Sequence, residues 1–157
     1  MMKIAFDVSY IQRNRAGIGR HAFQLLSSLL AADTTNEYLL HGWSFGLDVK
    51  AVSTFAGPRV KLSVANVPGA VKRFYWNVLR TPAMEAVVGD FDIFHSSDPT
   101  LPPARHAKVI CTVHDLAYVK FPQLFEKKVV SLDHTVRRAV QNADAVIVPS
   151  DQTKSDL

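Results

Sequence analysis

Histidine followed by aspartate, at the end of an apolar run, is the pair in this chain best suited to chemistry: Lys108-Val-Ile-Cys-Thr-Val leads directly into His114-Asp115. A histidine beside a carboxylate, with its tautomer fixed, can hydrogen-bond a sugar hydroxyl or a developing charge. The same pair is equally compatible with an imidazole satisfied by turn amides. A second feature, Gly17-Ile-Gly19-Arg20-His-Ala22, formally fits the dinucleotide pattern G-x-G-x-x-[G/A]. Two requirements of that fingerprint fail, so a nicotinamide cofactor is rejected. The first glycine should directly follow a strand, yet Gly17 comes well after Val8, and the second strand should end in an acid but ends in Gly42-Trp-Ser-Phe. What survives is physical: glycines allow close backbone approach, and amides at a helix N-terminus receive an oxyanion. Arg20 supplies a local cation there or is a solvated residue of the first turn, and the alternative for the glycines is that they only shape the turn. Asp7 orients a polar ligand or terminates its strand. His95 follows a later strand, and the remaining histidines, 21, 41, 106 and 134, lack metal-binding spacing. With a lone Cys111, neither an internal disulfide nor a cysteine-based zinc site is expected.

Something must hold these residues at one place, and the alternation of short apolar runs with helical patterns supplies it. Strands are expected at about Lys3–Val8, Tyr38–Trp43, Val60–Val64, Ile93–His95, Val109–Val113 and Ala145–Val148. Between Gly19 and Ala32 the apolar residues Ala22, Leu25, Leu26, Leu29 and Leu30 form one buried helical stripe. A second helical region, about Ala70 to Val88, places Val71, Phe74, Tyr75, Val78 and Leu79 on one face, and Pro82 starts a new turn. A third, about Glu126 to Asn142, buries Val129, Val130, Leu132, Val136 and Val140. Ser150 caps a last helix in which the chain stops, so a fragment is expected. The pattern implies an α/β, Rossmann-like three-layer sandwich with a mainly parallel sheet. Ligands then bind beyond the carboxyl ends of the strands, where Asp7, the glycine loop, His95, His114 and Tyr118 fall. The loop from Arg13 to Ala16, polar and without a ligand to order it, is expected to be mobile.

With 157 residues and 48% hydrophobic content, the chain has the size of one domain. Its charge of +4 is dispersed in small groups without a basic run, so nucleic acid is not the expected partner. No secretory h-region and no stretch of ~18 apolar residues occurs, which points to a cytoplasmic protein.

Five segments carry a resemblance: Ile4-Ala-Phe-Asp7, Ala16-Gly-Ile-Gly-Arg20, Asp92-Ile-Phe-His95 with Leu101-Pro-Pro103, Thr112-Val-His-Asp115-Leu-Ala, and Ala143-Asp-Ala-Val-Ile-Val-Pro-Ser150. In this order they resemble family 4 (group 1) glycosyltransferases, over essentially the whole chain. The resemblance implies half of a GT-B fold, two Rossmann-like domains facing a cleft, transferring a sugar from a nucleotide diphosphate donor with retention and without a cofactor or an obligatory metal. Residues 1–157 would be the N-terminal, acceptor-side domain, with the donor-binding C-terminal domain absent and the isolated chain inactive. It places Gly17, Gly19 and Arg20 at the donor diphosphate, His114 and Asp115 at the reacting sugar, and Asp7, His95 and Tyr118 toward the acceptor. Its partners would be a nucleotide sugar, a sugar or lipid-linked acceptor, and a membrane surface touched peripherally. The chain departs from the family in having only Glu37, Glu85 and Glu126, none paired as E-x7-E. The alternative is a non-catalytic Rossmann-like module that binds an anion or a protein.

Overall fold

The computed structural model describes residues 1–12, 17–65, 67–126, 129 and 132–157, apart from the side chains of residues 73 and 77. The 13–16 loop, for which mobility is expected, lies outside them. Strands β1 (Lys3–Asp7), β2 (Glu37–Trp43), β3 (Val60–Ala65), β4 (Ile93–Ser96), β5 (Lys108–Thr112) and β6 (Ala145–Ile147) form one sheet in the order β3-β2-β1-β4-β5-β6. Every pairing is parallel. The chain runs outward from β1 to β3 and then returns to the other side of β1, so the winding reverses at the β1–β4 boundary. In such a sheet the carboxyl ends splay apart at that boundary and leave a crevice.

Side-chain alternation along β1 assigns the two layers. Phe6 and Val8 pack with Leu26 of α1 (Ile18–Ala32), with Leu40, and with Val52 of α2 (Val49–Ser53). Ala5, on the opposite face, joins Phe94, Val109, Trp76, Met84 and Phe91. Farther along, Cys111 and Val113 meet Val136 and Ala139 of α6 (Asp133–Asn142). These helix-sheet-helix layers are the architecture that the alternation of elements implies.

The region after β3 differs from its expected form. Helix α3 (Gly69–Arg73) widens into a π-helical turn, Phe74–Leu79, then reaches Arg80 at φ 53°, and α4 spans only Glu85–Val88. The widened turn changes which side chains face inward. Lys72 and Trp76, four residues apart, are buried, whereas Val71, Phe74, Tyr75, Val78 and Leu79, the apolar residues expected to share one face, are 39–66% exposed. Of the third helical pattern the described residues include α6 from Asp133 to Asn142, with Leu132 exposed; residues 127, 128, 130 and 131 lie outside them. Short turns fill the connection after β5: α5 (Ala117–Lys120) and a 3₁₀ turn, Pro122–Leu124. At the end, the Ser150 hydroxyl accepts from Thr153 N at 3.1 Å and caps α7 (Asp151–Asp156), as the sequence predicts. No helix among the described residues is long and apolar enough to cross a membrane.

Candidate active site at the carboxyl edge of the sheet

Parallel strands bring the ends of β1, β4 and β5 to one edge, and hydrogen bonds tie them together. Ser97 Oγ, just past β4, donates to the Asp7 carbonyl at 2.8 Å. His114 Nε2, just past β5, lies 3.0 Å from the Ser97 carbonyl. A carbonyl only accepts, so Nε2 carries the hydrogen. The imidazole also packs edge-on against His21, with ring centroids 4.9 Å apart. His21 belongs to the first turns of α1, so His114 and the glycine loop stand on the same edge. Burial, followed by the neighbouring His114, lowers the His21 pKa.

The two glycines have different local reasons. A Cβ on Gly19 would stand 2.2 Å from the Tyr10 carbonyl oxygen, so only glycine lets α1 approach the loop after β1. Gly17 takes φ 51°, and a Cβ there would meet nothing among the described residues. It occupies the cap position of α1 and has no side chain of its own with which to cap the first-turn amides. Arg20 is exposed on that turn.

Asp7 is fully buried at the crevice. Its Oδ1 accepts from Ser9 N at 2.9 Å and Ser9 Oγ at 2.5 Å, and its Oδ2 accepts from Lys72 Nζ at 2.7 Å. Burial alone would raise this carboxyl; Lys72, His41 and the hydrogen bonds from Lys72 and Ser9 outweigh it and hold the pKa below the ordinary value. Lys72 Nζ also reaches Ser9 Oγ at 3.1 Å and lies 4.5 Å from the centroid of the Trp76 ring. Across the crevice, Asp98 receives the Tyr10 hydroxyl at 2.5 Å. Ser9, Tyr10, Trp43, Phe45, Lys72 and Asp98 border a cleft of about 280 Å³.

The remaining expected site residues lie elsewhere. His95 is buried in the α1-side layer, its Nε2 3.1 Å from Thr112 Oγ1 and its ring against Phe6. Burial, with His21 nearby, pushes its pKa down to about 4. Tyr118 is buried in the α6 layer and does not border the cleft. Burial, followed by Asp133 and Asp115, pushes its phenol up to about 12. Asp115 is exposed and accepts from Ala117 N at 3.1 Å, an Asx turn that starts α5. No cluster of His, Cys, Asp or Glu among the described residues could hold a metal ion.

Lys72, Tyr10, Trp43 and Trp76 escape a reading of the sequence. Their only signal is a lysine four residues before a tryptophan in a helical stretch, and in isolation that spacing describes an ordinary helix surface.

No curated protein and no solved structure matches the chain. Residues 15–157 match the family described as Glycosyltransferase Family 4. That match spans the glycine loop, the His114-Asp115 segment and every strand after β1. Its retaining members draw on nucleotide-diphosphate sugars and accommodate both a donor and an acceptor. With a six-stranded, all-parallel Rossmann-like sheet, this chain belongs to glycosyltransferase family 4, as the N-terminal half of the GT-B fold.

Proposed function

We propose that this domain holds the acceptor for a retaining transfer from a nucleotide-diphosphate sugar, and that a second Rossmann-like domain provides the donor's nucleotide contacts. The observation that carries this reading is the convergence of the α1 N-terminus, His114 and the Asp98-bordered cleft on one sheet edge. First-turn amides at Gly17–Gly19, with Arg20 beside them, would take the departing diphosphate, because helix N-termini favour oxyanions. His114, anchored through Nε2, would present Nδ1 to the donor sugar as positive charge develops there. Asp115 begins α5 and so orients the segment that carries His114. Asp7 is the buried anchor of the acceptor floor, and His95 supports that floor from the opposite layer. Tyr118 helps to seat α5.

Transfer requires the donor to be held between two domains with water excluded by their closure. Residues 1–157 alone should therefore give no appreciable transfer from a panel of nucleotide sugars, since positioning accounts for ~7–11 kcal/mol of such barriers. With the donor domain fused or mixed in, His114→Ala should lower turnover about a hundredfold or more while leaving the melting temperature nearly unchanged. Robust transfer by the chain alone would refute the division of labour. Unchanged turnover in the variant would remove His114 from the mechanism.

A further inference from the structure

Between Asp48 and Glu85 the chain holds six of its 18 lysines and arginines and none of its 14 acids. The remainder carries 12 cations against all 14 acids, so this stretch is the source of the net positive charge. It also contains an element of reversed polarity. Along α3 and its π-helical turn the residues turned inward are Lys72, paired with Asp7, and Trp76, while Val71, Phe74, Tyr75, Val78 and Leu79 face out. A helix that covers a sheet ordinarily turns its apolar stripe inward and its charges to water. Single exposed apolar residues are common, but five within nine positions, with the Phe74 and Tyr75 rings 5.9 Å apart, form a patch.

Cations flank that patch. Arg80 ends the element and is exposed. Lys61 pairs with Leu39, which packs in the Trp76 layer, so the exposed Lys61 leaves the sheet on the side that carries α3. Glu85, the next acid along the chain, turns its carboxylate to the Arg105 and His106 amides.

Size and charge together select the occupant. A stable contact between proteins takes about 20–30 residues a side, and five side chains fall far short of that. A second copy would also bring like charges toward one another. A lipid surface needs only shallow insertion: it takes Phe, Val and Leu among its acyl chains and Tyr at the headgroup level, and anionic headgroups attract the lysine and arginine beside them.

We infer that Val71, Phe74, Tyr75, Val78 and Leu79 seat this domain on an anionic lipid surface, with Lys61 and Arg80 against the headgroups. Gly69 and Lys72 of the same helix border the cleft, so docking brings the cleft to the edge of the lipid.

Flotation of the chain with phosphatidylcholine vesicles containing about 30% phosphatidylglycerol should recover it with the lipid, at least about tenfold more tightly than with pure phosphatidylcholine, and added salt should reduce that preference. Combining Phe74→Ser with Val78→Ser should weaken binding about tenfold at a nearly unchanged melting temperature, because the two residues are 50% and 66% exposed. Arg80→Gln should weaken binding to the anionic vesicles about fivefold. Equal partition into both vesicle types, or no recovery with the anionic ones, would overturn the inference, and so would undiminished binding by the double variant. Sedimentation velocity without lipid should show a monomer; a dimer that the double variant dissociates would assign the face to a second copy instead. None of these outcomes bears on the transfer reading, which does not use the outer face of α3.

Discussion

Asp7 shows how much a single residue's role depends on a partner far away in the chain. From its position it either orients a ligand or ends a strand; in the fold it is the buried counter-ion of Lys72, 65 residues later. Removing one member of such a pair leaves the other charged, buried and alone, whereas replacing both is often nearly neutral. Asp7→Asn should therefore cost about 3–5 kcal/mol of unfolding free energy, and adding Lys72→Met should restore most of it. Urea unfolding of the wild type, both single variants and the double variant measures the coupling, and additive losses would show that the pair is not an anchor. The sequence displays His114-Asp115 because the two residues are adjacent. It hides Asp7–Lys72 because sequence patterns do not encode contacts between distant segments. His95 and Tyr118 were equally ambiguous by position, since a residue near a strand end can point into a layer as readily as into the crevice.

At the scale of the element, the seating of α1 against the loop after β1 is set by Gly19. Alanine there would drive a methyl into the Tyr10 carbonyl, a backbone atom that cannot rotate away, and should cost about 3 kcal/mol. Alanine at Gly17 meets no neighbour among the described residues but takes on a left-handed backbone, so about 1–2 kcal/mol is expected. Thermal unfolding of the two variants should rank Gly19→Ala well below Gly17→Ala; the reverse order would mean that α1 does not sit where the structure puts it. The spacing in the sequence presents these glycines as one motif, and only the packing separates them. Strands and α1 were legible because each keeps one period along its length. The stretch from Gly69 to Val88 was not, because its period changes at the π-helical turn and a 3.6-residue template then selects the wrong face.

For the whole molecule, two histidines buried in opposite layers make stability depend on pH. Burial, opposed in part by Asp7, pushes His41 down to about 4, and His95 is also near 4. Below the ordinary histidine value of about 6.5 the unfolded chain binds protons that the folded chain refuses. Stability is therefore full above about pH 6.5 and is lost as the pH falls toward 4, by up to roughly 3 kcal/mol per histidine. Urea midpoints recorded from neutral pH downward should drop through this window, and a level profile would contradict the burial of both rings. The strand order has a further consequence for how the protein is made. β1 needs β2 on one side and β4 on the other, and residues 44 to 92 separate the two partners. At translation rates of about 5–20 residues per second, β1 waits several seconds on the ribosome with one edge unpaired. Its α1-side layer can close in that time, because Phe6, Leu26, Leu40 and Val52 have all been synthesised. Lys72 also emerges before β4, so the nascent chain can neutralise Asp7 before the strand that completes the crevice exists.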